Sequence, residues 1–156
     1  MAEITGGGPA EMKQLAARLH EADPALKREL RRNLRAAAGP VVAAVQESIL
    51  SMPSHHDGSL RAEVARTVSS SVGLTRNGAR LEIVSSGRKM PAGEDRLPGF
   101  LDSVKGWNRP VFGNRDVWRR QHGKPAWFER PVTGKAPALR RTAQDAMDET
   151  KRKLGG

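Results

Sequence analysis

Apolar residues along the chain recur first with a helical period and then with a strand period, and glycine and proline clusters mark the changes between them. Gly8-Pro9 opens a short amphipathic helix in which Met12, Leu15, Ala16 and Leu19 share one face. Asp23-Pro24 then supplies a strong start signal. It pairs a carboxylate able to accept from free amides with a proline whose φ is already helical. From there Leu26, Leu30, Leu34, Ala37, Val41, Val45 and Ile49 recur every three or four residues, which predicts one long helix over about 24 to 51. Gly39-Pro40 sits in its middle, where a missing amide and a ring clash should kink the helix or divide it.

After the break at Met52-Pro53, Ser59 to Arg66 fits either a helical turn or a lead into a strand. The next two runs alternate. Val68, Val72 and Leu74 share one parity, Leu81, Ile83 and Ser85 another, and Asn77-Gly78 between them is a strong hairpin signal. Pairing Arg76 with Ala79 would set Leu74 opposite Leu81 and Val72 opposite Ile83.

Residues 88 to 134 hold every aromatic of the chain, Phe100, Trp107, Phe112, Trp118, Trp127 and Phe128, among Pro91, Pro98, Pro110, Pro125 and Pro131. This predicts a long ordered loop with at most one further strand, near Asp116 to Gln121, and a loop of that length is uncommon unless it has a function. Ala136 to Leu154 closes the chain as a helix with Leu139, Ala143, Met147, Thr150 and Leu154 on one face and Lys151, Arg152 and Lys153 at its end. The expected fold is α+β. A small antiparallel sheet, a hairpin plus a third strand, packs against the long kinked helix and the C-terminal helix. Residues 1–8 read as a flexible N-terminus, 9–154 as a single domain, and 155–156 as a tail.

Composition narrows the function classes. The chain has 156 residues, 37% apolar, with 27 Lys and Arg against 17 Asp and Glu, a net charge of +10. Its longest apolar run, Val41 to Val45, is far short of the roughly 18 to 20 residues that span a bilayer. The start lacks the basic and apolar regions of a signal peptide, and without cysteine there is no disulfide or thiolate site. A cytosolic setting is the simplest expectation.

Catalytic signals are weak. His55-His56-Asp57 is the one dense cluster of potential ligands, but His20 and His122 stand at no recognised metal spacing, and a solvated loop is the simpler account. Glu94-Asp95 and the group Asp145, Asp148 and Glu149 lie among Lys and Arg, which suits surface ion pairing. Gly6-Gly7-Gly8 precedes no phosphate-binding Lys-Ser/Thr pair, and Ser69-Ser70-Ser71 has no neighbouring base. The expectation is a protein that is not an enzyme and needs no cofactor or metal.

The cations are more informative. Lys27, Arg28, Arg31, Arg32 and Arg35 fall within an arc of about 140 degrees on the long helix, beside the apolar stripe. Such a face fits either nucleic-acid phosphates or an acidic partner. Neutralising about five phosphates would give a salt slope of about −4 to −5. No recognition helix or base-stacking platform accompanies it, so sequence-specific reading is not expected.

Gly106-Trp107-Asn108-Arg109-Pro110-Val111-Phe112-Gly113-Asn114, then Trp118, then Pro125-Ala126-Trp127-Phe128 form a pattern that resembles the neck, or tail-completion, proteins of long-tailed double-stranded DNA bacteriophages, especially those of actinobacteria. Arg88-Lys89-Met90-Pro91 after the hairpin, Leu97-Pro98 before a short apolar segment, and a closing helix after the Trp-Phe pair occur in the order that family uses, so the resemblance covers roughly residues 10 to 154. It implies a structural head–tail joining subunit of the virion, assembled in the host cytoplasm. The subunit would form a closed homo-oligomeric ring, six-fold favoured and twelve-fold the alternative, with the head connector or adaptor above and the tail terminator or tail tube below. Genomic double-stranded DNA would pass through its lumen without sequence-specific contact. On that reading Arg96, Arg109, Arg115, Arg119 and Arg120 serve a partner-interface loop, since Arg and Trp are enriched at binding hot spots. The simpler role for Trp107, Phe112, Trp118, Trp127 and Phe128 is to pack the core or pin the loop. The alternatives are a nonspecific DNA-binding protein using the basic helix face, or a tail terminator of related fold.

Overall fold

The computed structural model describes residues 2–4, 14, 17–19, 21–53, 58–75, 78–111 and 113–155. Helix α1 spans Pro24–Leu50. Its start is the expected one: the Asp23 carboxylate accepts from the Ala25 amide at 2.9 Å, and Pro24 needs no donor in the first turn. Leu30, Leu34, Ala37, Val41, Val45 and Ile49 are buried along one stripe. The helix is continuous through Gly39-Pro40, where a division into two pieces was one expected outcome. Pro40 cannot donate to the Ala36 carbonyl, but Ala36, Gly39 and Pro40 are all exposed, so water can satisfy that carbonyl. Most of the short helix expected before Asp23 lies outside the described residues; Ala17, Arg18 and Leu19 are helical and Leu19 is buried.

Helix α2, Ser59–Thr67, follows a left-handed Gly58 (φ 81°) and is tied to the end of α1 by the Arg61 guanidinium, which donates to the Leu50 carbonyl at 3.0 Å and to the Met52 carbonyl. Strands β2, Val68–Thr75, and β3, Gly78–Ser85, then pair antiparallel. Val72 stands opposite Leu81, Leu74 opposite Ala79 and Ser70 opposite Ile83, two residues away from the expected register. A shift of two keeps every side chain on its own face, so the apolar pattern fixes parity and is silent between the two registers. The two connecting residues, Arg76 and Asn77, lie outside the described residues.

The third strand of this sheet is not the expected one. It is β1, Ala2–Ile4, a segment read as a flexible terminus, which pairs with β3 to give the order β1-β3-β2. Helix α1 crosses one face, where Val68, Leu81 and Ile83 are buried.

The segment expected as one long loop is largely regular. A 3-10 turn, Gly87–Lys89, and helix α3, Leu97–Asp102, lead into strands β4, Trp107–Val111, and β5, Asn114–Gln121, which form a separate two-stranded sheet. Helix α4 then spans Glu129–Lys153, beginning seven residues before the expected start. It runs antiparallel to α1: Lys124, just ahead of it, donates to the Ser48 carbonyl at 2.9 Å, and Lys153 at its end pairs with Glu29.

Burial forms two clusters along α1. The larger joins Ala37 to Ile49 of α1 with the sheet, α3, Trp127, Phe128, Val132 and Leu139. The smaller joins Leu30 and Leu34 with Leu19, Ala143, Ala146 and Met147. Trp127 is 1% exposed, donates its indole N–H to the Pro98 carbonyl at 3.2 Å, and meets Phe128 edge to face.

Candidate interaction surface

The β4-β5 hairpin is built as an arm. At its root Gly106 adopts φ 68°, and a Cβ there would lie 2.2 Å from the Gln121 carbonyl oxygen. Gly123, just past β5, approaches the Leu101 backbone so closely that a Cβ would lie 2.2 Å from that carbonyl oxygen. Two glycines therefore let the arm leave the body through a narrow root. Its tip turns through Gly113 (φ 78°), with the Asn114 side chain accepting from the Asp116 amide at 2.9 Å.

All eight residues of β5 are exposed. A two-stranded hairpin is marginal in water on its own, so an arm open on both faces is either sacrificed stability or a surface awaiting a partner. Arg109 stands directly opposite Arg119, and beyond Pro110 the register shifts, so that Arg115, Asp116 and Val117 bulge out of the ladder. Like charges directly opposite destabilise a sheet. Among the described residues the guanidinium groups of Arg109, Arg115 and Arg119 have no ion-pair or hydrogen-bond partner. Arg120 points to the other face, opposite Asn108, and donates to the Lys105 carbonyl.

The aromatics divide by role. Trp127 and Phe128 pack the core as expected. Trp107 is half-buried at the arm's root, stacked on Phe100 with centroids 6.0 Å apart and planes at 11°. Trp118 is 55% exposed, so it pins nothing to the core; its indole N–H donates at 2.6 Å to the Arg115 carbonyl within the arm. Phe112 lies outside the described residues. The arm's root carries an arrangement that sequence reading missed: Arg96 and Arg109 flank the Phe100–Trp107 stack around a pocket of about 210 Å³. The separation of Arg96 and Arg109 by thirteen positions hides this; a turn signal at Gly113-Asn114 could have revealed β4.

The helical basic arc is preserved. Arg28, Arg32 and Arg35 are exposed and Lys27 and Arg31 half-buried, all on α1. Beside them the Lys153 ammonium joins Glu29 at 2.5 Å and Glu149 at 2.9 Å. These bonds hold the Lys153 pKa above 10.5, through Glu29 first and then Glu149, and hold that of Glu149 below 4.5, through Lys153.

Among the described residues no group of three or more His, Asp or Glu side chains is placed to hold a metal ion; His55, His56 and Asp57 lie outside them. No described helix is long and apolar enough to cross a membrane. Compared with protein-family models, curated proteins and solved structures, the chain matches nothing.

Proposed function

We propose that this chain is a non-enzymatic structural subunit of a bacteriophage neck. It assembles head to tail into a ring that joins the head connector to the tail and lets DNA through. The observation that carries this is the β4-β5 arm, an exposed hairpin with unpartnered arginines for which an isolated monomer has no evident use. The main sheet adds support. Its edge strand β2 holds neither charge nor proline, the two devices that usually keep an edge from pairing with another chain. An asymmetric pair of surfaces, arm and edge, suits the heterologous contacts from which closed rings are built.

Electron microscopy and sedimentation of the purified full chain, alone and with purified connector, test this reading. Ring-shaped particles, or assembly on the connector, are expected. A chain that stays strictly monomeric both alone and with the connector would overturn it.

A second reading is a nonspecific DNA-binding protein. It is favoured by one observation: Arg28, Arg31, Arg32 and Arg35 have no ion-pair partner among the described residues. Reversing the charge of Arg28, Arg31 and Arg32 separates the two. DNA affinity should collapse and its salt slope flatten by about three on the second reading, while ring assembly should survive on the first.

A further inference from the structure

The pocket at the root of the arm is lined by Leu60 of α2, Leu97 and Phe100 of α3 and Trp107 of β4, with Arg96, Arg109 and Glu94 on its rim. Phe100 remains 40% exposed although one ring face is stacked on Trp107, so an apolar surface is left open to solvent. Both arginines are exposed, and among the described residues neither guanidinium has a hydrogen-bond or ion-pair partner. At about 210 Å³ the pocket is smaller than the roughly 300 Å³ at which small-molecule sites begin, and suits a single large apolar side chain. Guanidinium groups match carboxylates in planar two-point bonds.

We infer that this pocket docks a short acidic segment of a different protein chain. A Leu or Phe of that segment sits on the Phe100–Trp107 floor, and Asp or Glu residues to either side meet Arg96 and Arg109. The acidic residues of this chain argue against a second copy as occupant: Asp145, Asp148 and Glu149 surround Met147, but Met147 is buried and Asp148 and Glu149 are paired within their own chain, and Asp116 beside the exposed Val117 and Trp118 lies between Arg115 and Arg119. Glu94 on the rim disfavours a phosphate backbone, which presents a charge at every step; a peptide can turn its acidic side chains to Arg96 and Arg109 and a backbone amide N–H to Glu94. This inference rests on the arm being a partner-binding surface, and it gives one neighbour its chemistry.

The test is fluorescence polarisation on the full chain with labelled acetyl-Asp-Glu-Leu-Phe-Glu-Asp-amide. A probe with Ala-Ala in place of Leu-Phe, and a twelve-residue oligothymidylate as competitor, complete the set. Binding is expected to weaken about tenfold or more when Leu-Phe is replaced, and again in Arg96→Glu and Arg109→Glu, with Arg141→Glu, exposed on α4, as an unaffected control. Phe100→Ala should weaken it as well. Arg96→Glu, on the exposed rim, keeps the test valid if that variant fails to fold. Equal binding of the two peptides, an equal loss in Arg141→Glu, displacement by the oligothymidylate, or no binding at about millimolar peptide each overturns the inference. Rings without peptide binding would sink this inference alone, and peptide binding by a permanently monomeric chain would sink the neck reading alone.

Discussion

Gly123→Ala separates a true close approach from a loosely tethered arm. A Cβ at Gly123 would lie 2.2 Å from the carbonyl oxygen of Leu101, 2.5 Å from its Cα and 2.7 Å from its carbonyl carbon. Ordinary contact begins at 3.4 Å, so the nearest atom must move by 3.4 − 2.2 = 1.2 Å. No flexible side chain can absorb this, because all three obstacles are backbone of a residue that is itself 4% exposed. Moving the Gly123 segment instead strains the neighbouring bond from Lys124 to the Ser48 carbonyl. Overpacking of this kind costs about 1–3 kcal/mol. The control is Gly99→Ala, two residues before Leu101 inside α3, where a new Cβ meets nothing within 4 Å. It should stabilise by about 0.4–1 kcal/mol, because alanine has less chain entropy to lose. Guanidinium unfolding of both variants against the parent gives the two values, with opposite signs expected. A Gly123→Ala variant within about 0.5 kcal/mol of the parent, at unchanged slope, would refute the close packing of the arm's root on α3.

Further outcomes follow from other sites. Trp127→Phe removes the donor to the buried Pro98 carbonyl and should cost about 1–3 kcal/mol in denaturant midpoint analysis, with loss of the most shielded tryptophan emission. Arg119→Glu turns the pair opposite Arg109 from repulsive to attractive and should raise stability by about 0.2–1 kcal/mol; a fall would contradict the β4-β5 register. Gly134→Ala, exposed inside α4 with nothing within 4 Å of the new Cβ, should raise stability by about 1 kcal/mol by thermal unfolding. The Glu29–Lys153–Glu149 group makes stability pH-dependent at both extremes. Glu149, with its folded pKa below 4.5, contributes above the ordinary carboxylate range, and this is lost as pH falls through the folded value. Lys153, raised above 10.5, contributes below that pH and loses it as pH rises through the folded value, so Lys153→Met should flatten both limbs of a stability–pH curve.

Where burial imposes a period, the sequence foretold the structure. Asp23-Pro24 and the stripe from Leu30 to Ile49 placed α1, and the parity of Val72, Leu74, Leu81 and Ile83 placed the inner face of the sheet. The arm was legible only in part because none of β5 is buried, so no alternation of apolar and polar residues is imposed on it. Helix α4 was underestimated because Pro131, Gly134 and Pro137 resemble breakers. Pro131 falls in the first turn, where no amide is required, and the burial of Val132 in the larger cluster holds the remainder helical. Strand β1, three residues long, is too short to show any period. The grouping of Arg96, Arg109, Phe100 and Trp107 depends on how the arm folds back toward α3, which local sequence does not encode.

Helix α1 belongs to two cores at once, and its proline stands just beyond the handover, between Leu34 of the smaller cluster and Val41 of the larger. With one rung of the hydrogen-bond ladder missing there, cooperativity should weaken at that point. The first turns of α1, with the end of α4, should open as a subglobal unit of lower free energy than the rest. Hydrogen exchange would then show amides near Arg28 to Arg35 exchanging sooner than those near Val45 to Ile49. Because the basic arc rides on the looser unit, any polyanion that binds it would announce itself as slowed exchange in those turns, whether or not the main core responds.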